Sequence, residues 1–377
     1  MRFYSFDKDN SIVNLSNSIL KKYGVQPFHS TIKQLDDLIK DKKKLCLVLL
    51  DGFGVSVQDR YLDKNHPFIK NRLMQISSMF PPTTVAATTA LRTGKYNGET
   101  GWIAWTTYVK EVDSVVEMFT KKDYVSKEKI VPPDFFFKKY PVTSIFSLIK
   151  EKNPTIYCDQ VEHGDFSDEA YDTSDEMFMH AHEELNKFDE GFLFVYDMEP
   201  DHEFHHAGLS SDLSRDLALY LVDKTLDLIE KHKDTFFVVI SDHSHIETDP
   251  IYVEDYPDVS ALINNTFILE GRAASFKVKK GCEKQFLELA NKYWSEDFDI
   301  VDKKYMIENH LFGYGKYVDD IEEILGDYTL IAVTNKYFKV VHEENIRPPL
   351  KSNHGGGTKE ENMIAVVTFN GDTAKKY

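Results

Sequence analysis

The chain is poor in cysteine: Cys46, Cys158 and Cys282 stand far apart among 377 residues, odd in number and with no C-x-x-C pair. That pattern excludes a disulfide framework and a cysteine zinc site, and leaves three free thiols. Long apolar runs are missing too. No stretch approaches the roughly 20 residues that cross a bilayer, and the opening "MRFYSFDKDNSIV" lacks the apolar segment of a secretory signal. The expectation is a soluble cytoplasmic protein with no membrane partner. Basic residues are in deficit, 45 against 62 acidic ones, for a formal charge of -17. Nucleic-acid polymers and anionic membranes are repelled by such a chain, which can bind a small anion only where cations or clustered basic residues help locally. Internal repeats, low-complexity tracts and proline- or glycine-rich linkers are absent as well.

What is present is 42% hydrophobic residues, enough for a sizeable core. Four short apolar runs read as buried strands: "LCLVLL" at 45–50, "FLFVY" at 192–196, "TFFVVI" at 235–240 and "MIAVVTF" at 363–369. They do not alternate with polar residues, as strands of a parallel sheet covered on both faces do not. Between them lie helical patterns such as 212–232, where Leu213, Leu217, Leu221 and Leu228 recur near one stripe behind a Ser/Asp cap. The predicted fold class is α/β, a doubly wound, mostly parallel sheet flanked by helices. Residues 271–345, with "AASFKV", "CEKQFLELANKYW" and "YTLIAVTNKYFKV", read as a small α+β insert in a core formed by 1–270 and 346–377. The insert is expected either to pack on the core or to cover whatever site the core carries.

Polar residues follow each apolar run. Asp51-Gly52-Phe53-Gly54 ends the first, Asp197 and then Asp201 follow the second, and Ser241-Asp242-His243 follow the third. Ligands of open α/β sheets gather at the carboxyl ends of strands, so these groups are candidates to converge. Mixed Asp and His donors without Cys suit Zn²⁺ or Mn²⁺ and suit Ca²⁺ poorly.

A second element is "FPPTTVAATTALRTGK" at 80–95. Pro81 and Pro82 stop what precedes, Thr83 and Thr84 stand at a cap position, "VAATTALR" is compatible with a helix, and Gly94 fits its end. A hydroxyl is thereby held at a helix N-terminus, where free amides and the dipole favour an anion. Plain capping and an activated nucleophile are both consistent with these two threonines taken alone.

"EPDHEFHHAG" at 199–208 carries two metal patterns shifted by one residue. His202, Glu203 and His206 match the H-E-x-x-H of a zinc protease, while Asp201 and His205 are an equally spaced pair. Spacing does not choose between them. Pro200 and Gly208 leave barely two turns for a protease helix, which weighs against that reading.

The stretches "DGFG", "FPPTTVAATTALRTG", "EPDHEFHHAG", "SDHSH" and "KSNHGG", in this order from residue 45 onward, resemble the alkaline phosphatase superfamily and within it the nucleotide pyrophosphatase/phosphodiesterase-like group. The resemblance implies an alkaline phosphatase-like core in which Thr84 is the nucleophile. One metal would be held by Asp51, Thr84, Asp242 and His243, and the other by Asp201, His205 and His354, leaving His202 and His206 outside. It implies two divalent cations, zinc first and manganese as the alternative. It also implies hydrolysis of a small phosphorylated substrate, nucleotides among them, as a diester or pyrophosphate through a phosphothreonine intermediate. Phosphomonoesterases and phosphomutases use the same cage and remain alternatives, as does a degenerate, non-catalytic metal-binding member; a sulfatase would need Cys or Ser in place of Thr84.

Two positions depart from the family. Ala87 stands where an asparagine would donate to the phosphoryl oxygen, a contact worth about 3 kcal/mol; the Thr84 amide, Thr88 and Asn97 are candidates to replace it. Ser244 stands where a glycine usually follows Asp-His. Trp102, with Trp105 and Tyr108, is a candidate to stack a planar leaving group, and Arg92 and Lys95 are candidate phosphate contacts.

Overall fold

In the computed structural model, residues 1–164, 170–340 and 348–370 are described. The strand Lys44–Leu50, β1, is buried along its whole length. Successive side chains of a strand point to opposite faces, so Leu45, Leu47 and Leu49 enter one hydrophobic cluster and Cys46, Val48 and Leu50 enter another. The central sheet adds β2 (Arg72–Ser77), β3 (Tyr157–His163), β4 (Gly191–Asp197), β5 (Thr235–Ile240) and β6 (Met363–Phe369), in the spatial order β2-β6-β5-β1-β4-β3. β5, β1, β4 and β3 run parallel. The 363–369 run, grouped with the parallel strands on sequence, is antiparallel to both its neighbours. An unbroken apolar run reports cover on both faces and carries no information about direction.

Helices close both faces. On one side lie α1 (Ile12–Lys22) and α2 (Thr84–Thr93), whose Leu15, Ile19, Ala86, Ala90 and Leu91 join the first cluster. Two hydrogen bonds fix α2 against α1: Ser16 Oγ donates to Leu91 O at 2.6 Å and Asn17 Nδ2 to Gly94 O at 2.8 Å. On the other side lies α4 (Asp212–Lys231), preceded by the short α3 (Asp201–Ala207). Ser211 caps α4 by accepting from Leu213 N. Leu221 and Leu228 of its apolar stripe are buried, but Leu213, in the first turn, is 68% exposed because the stripe meets the sheet only further along.

A second sheet of six antiparallel strands runs in the order 298–302, 328–332, 273–276, 268–270, 106–109, 114–117. The helix Glu283–Trp294 covers it through Phe286, Ala290 and Trp294. Three strands of the 271–345 segment thus share a sheet with 106–117 and 268–270, while 336–339 pairs in parallel with 249–252, and the 270/271 boundary falls in a tight hairpin. The other boundary, 345/346, lies outside the described residues.

Arg272 ties this hairpin to the core. Fully buried, it donates from Nε to Glu361 Oε2 at 2.8 Å and from its two terminal nitrogens to Lys336 O at 2.7 Å and Thr334 O at 2.9 Å. Removing one partner leaves an uncompensated buried charge, so Arg272→Ala is expected to cost about 3–5 kcal/mol. The loss should appear as a lower urea midpoint, and an unchanged midpoint would contradict it. Among the described residues, no helix is long and apolar enough to cross a membrane.

Candidate metal and phosphoryl site

The parallel register places Leu49 of β1 beside Ile240 of β5. Two residues further on, Asp51 and Asp242 therefore emerge side by side at the carboxyl end of the sheet. Both are buried, and Gly52 N donates to Asp242 Oδ1 at 3.1 Å. His243 follows directly, with Nε2 3.4 Å from Asp51 Oδ1, 3.3 Å from Asp242 Oδ2 and 3.8 Å from Asp201 Oδ1. Thr84 opens α2, behind the extended Thr83, so its N–H has no acceptor within the helix. Its Oγ1 lies 3.5 Å from Asp51 Oδ1 and 3.3 Å from His243 Nε2.

Asp201 and His205 lie one turn apart on α3, His205 Nε2 3.5 Å from Asp201 Oδ2. His354 arrives from the far end of the chain because Ser352 and Asn353 pair antiparallel with Glu247 and Ile246, just past "SDHSH". The ring of His354 stacks on that of His243, centroids 3.7 Å apart, and its Nε2 is 3.7 Å from Asp201 Oδ1.

The chemistry of the donor set fits divalent cations. His205, His243 and His354 each turn Nδ1 toward a backbone carbonyl, of Ser352, Ser244 and Pro82, at 3.0, 3.3 and 2.9 Å. A carbonyl oxygen only accepts, so Nδ1 carries a proton and Nε2 is the atom left to face the pocket. These Nε2 atoms face three carboxylates. Asp242 Oδ2 is buried with no hydrogen-bond partner. Burial and the adjacent charges of Asp242 and Asp201 hold the Asp51 carboxyl well above its usual range. For Asp201, burial acts in the same direction but is outweighed by His205, His245 and His354, and the carboxyl is held well below. Two groups bring their donor atoms close enough that each could hold an ion, Asp51, Asp242 and His243, and Asp201, His243, His245 and His354; they share His243, and His205 lies outside both.

The remaining candidates are placed elsewhere. Thr88 donates its hydroxyl to Thr84 O at 2.7 Å, within the helix. Asn97 spends its amide on Phe80 O and Ile103 O. Trp102 is 2% exposed, donates to Tyr140 O and packs against Phe119, Phe136 and Phe137. Their polar hydrogens are thus directed to backbone carbonyls. Ala87 lies in the hydrophobic layer under the sheet. Arg92 pairs with Gln160 and Glu162, and Lys95 sits over Phe28. Asp197 pairs with His163 at 2.7 Å. His202 pairs with Glu199 at 3.2 Å, and its ring lies 4.9 Å from that of His206; both rings are exposed on α3 and belong to neither group of donors that could hold an ion. Ser244 packs its Cβ into the space left by the missing side chain of Gly54, and its hydroxyl meets Ser56 Oγ at 2.7 Å.

Three polar side chains escaped the sequence reading. Tyr196 donates to Asp51 Oδ2 at 2.6 Å; on sequence it belongs to an apolar run with Phe192 and Phe194. Glu270 accepts from Trp105 N at 2.7 Å, beside Gly355, and burial pushes its carboxyl up to about 7. His245 reaches Asp201; two residues after His243 in extended chain, it points to the same side, a signal available in "SDHSH". Gly52 makes room for this cluster. With φ at +71°, a Cβ there would lie 2.9 Å from His245 Cδ2 and Nε2 and 3.1 Å from Asp201 Cβ. Gly52→Ala is therefore expected to cost about 1–2 kcal/mol in backbone strain and to reduce metal uptake, measured by thermal unfolding and by metal analysis.

Residues 45–355 match the family described as type I phosphodiesterase / nucleotide pyrophosphatase. The fold is similar to that of murine ectonucleotide pyrophosphatase / phosphodiesterase 5, with a TM-score of 0.63 and 17% identity over 86% of this chain and 87% of that one. The human protein of the same name gives 0.62 and 16% over 86% and 87%. Phosphonoacetate hydrolase from Sinorhizobium meliloti 1021, in complex with phosphonoformate, gives 0.59 and 15% over 87% and 90%. A search of curated protein sequences returns no match. At these identities the solved structures speak for the fold, and the family match speaks for the lineage: the chain belongs to the type I phosphodiesterase / nucleotide pyrophosphatase family.

Proposed function

We propose that the chain is a two-metal phosphohydrolase that cleaves small phosphate diesters or pyrophosphates, nucleotides among them, with Thr84 as nucleophile. The observation that carries this reading is a single hydroxyl, Thr84 Oγ1, at a helix N-terminus and within 3.5 Å of both Asp51 and His243. Asp51, Asp242 and His243 would hold one cation, and Asp201, His205 and His354 the other, zinc first and manganese as the alternative. When bound, such ions lower the pKa of an attacking hydroxyl and neutralise phosphoryl and leaving-group charge.

The chain's own residues supply the rest. Thr84 Oγ bonds to phosphorus as the bond to the leaving oxygen breaks, its proton passing through solvent to that leaving oxygen; water then cleaves the phosphothreonine, its oxygen going to phosphorus and one proton to Thr84 Oγ, which restores the hydroxyl. The open N-terminus of α2, including the Thr84 amide, faces the phosphoryl oxygens where the family's asparagine is missing. Tyr196 holds Asp51 in place. The neighbour from mouse has also been solved as an inactive threonine-to-alanine variant in complex with AMP, which supports a nucleotide-sized occupant. The free state of Cys46, Cys158 and Cys282 supports a reducing, cytoplasmic setting.

Release of p-nitrophenol tests the reading. The metal-loaded protein is expected to hydrolyse bis-p-nitrophenyl phosphate faster than p-nitrophenyl phosphate. The reverse order favours a monoesterase, and inactivity on both overturns the phosphohydrolase assignment.

A further inference from the structure

His245 is the imidazole closest to Asp201. Its Nε2 lies 2.5 Å from Asp201 Oδ1, against 3.5 Å from His205 to the other carboxylate oxygen, 3.7 Å from His354 and 3.8 Å from His243. The ring is enclosed, with centroids 4.8 Å from His205 and 5.2 Å from His354. Its space is created by the missing side chain of Gly52.

The other ring nitrogen identifies the free electron pair. His245 Nδ1 is 3.1 Å from Ser352 Oγ, and that hydroxyl donates its one proton to Phe204 O at 2.7 Å. Toward His245 the hydroxyl can therefore only accept, so Nδ1 is the donor. This is the arrangement found at His205, His243 and His354, with a hydroxyl in place of a carbonyl. Such an outer acceptor is what orients a metal-binding histidine and sets its tautomer. In the neutral ring Nε2 then meets Asp201 Oδ1 lone pair to lone pair at 2.5 Å, so a proton or a cation must lie between them.

We infer that His245 is a fourth protein donor, through Nε2, at the cation site of Asp201, His205 and His354. The inference rests on the two-metal reading and adds a ligand that the family motifs do not supply. It makes the two sites unlike: three imidazoles and one carboxylate at Asp201, against two carboxylates, one hydroxyl and one imidazole at Asp51. Nitrogen-rich sites suit zinc and oxygen-rich ones suit manganese or magnesium, so the Asp201 site is the one that retains zinc when the other exchanges.

The test is a crystal structure of the wild-type chain soaked with Zn²⁺, read by anomalous density, together with zinc stoichiometry under competition by a chromophoric chelator. An ion about 2.0–2.1 Å from His245 Nε2 is expected, and His245→Ala or His245→Gln should weaken the tighter of two zinc equivalents by at least about 10-fold. An ion bound by Asp201, His205 and His354 but more than about 3 Å from His245, beyond any zinc–nitrogen bond, would overturn the inference and leave the two-metal reading standing. A wild type that takes up no zinc or manganese would overturn both. The distance is read in the wild type, so it decides the matter even where a variant fails to fold.

Discussion

Thr84→Ala should lower kcat on bis-p-nitrophenyl phosphate by about 10⁴-fold or more, the scale on which removal of a catalytic nucleophile is felt, with metal content little changed. A 10⁴-fold loss corresponds to about 5.5 kcal/mol of barrier, far more than a lost helix cap, which is worth about 1 kcal/mol. The comparison separates the two roles open to this residue. Thr83 already occupies the N-cap of α2, so the Thr84 hydroxyl is not required for capping. Thr84→Ser keeps the hydroxyl and should retain much of the rate. Mass spectrometry of acid-quenched wild type should find phosphate on Thr84 and none in the alanine variant. Full activity in Thr84→Ala would end the nucleophile assignment.

Stripping divalent cations with a chelator should abolish turnover and lower the melting temperature, and Zn²⁺ or Mn²⁺ should restore both. The expected effect on stability is large because the cage folds like charges together. Two carboxylates 4 Å apart repel by about 4 kcal/mol at an effective dielectric of 20, and Asp51, Asp201 and Asp242 share one pocket with the Nε2 lone pairs of the histidines. An ion present at a thousand times its Kd stabilises by about 4 kcal/mol. Imidazole and carboxylate must be deprotonated to bind, so uptake releases protons and affinity falls as pH is lowered. His206 provides the internal control. Its ring is exposed beside His202, whereas His205 Nε2 lies 3.5 Å from Asp201 Oδ2, so on the proposed ligand set His206→Ala should keep both ions while His205→Ala loses one. Equal losses would reopen the protease pattern.

Much of this site was legible because its residues sit at strand ends. An apolar run closing in Asp51 or in Ser241-Asp242-His243 names both the strand and the group it presents, and parallel pairing does the rest. The direction of β6 was not legible, since burial on both faces leaves the same trace whichever way a strand runs. Nor was the second sheet, which joins 106–117 to 268–332 through pairings that no local pattern encodes. Tyr196 was hidden by its own hydrophobicity, its ring serving the core while its hydroxyl holds Asp51. Asn97 and Trp102 show the converse: polar atoms close to α2 in sequence whose hydrogens turn to the backbone.

β6 is the latest of the six strands in the chain, yet it lies inside the sheet, between β5 and β2. A ribosome-bound chain can therefore assemble β1, β4, β3 and β5 early, but it must hold an open edge on β5 until 363–369 emerges. Unpaired edges of this kind invite association with other chains. His354 precedes β6 by nine residues, so the proposed second cation site closes at the same late moment. Under the proposed function, biogenesis and activity are coupled: a nascent chain would carry Thr84 and most of the proposed ligands long before it could capture a full complement of metal, and it would stay inert toward phosphate esters until the cage and the sheet are completed together.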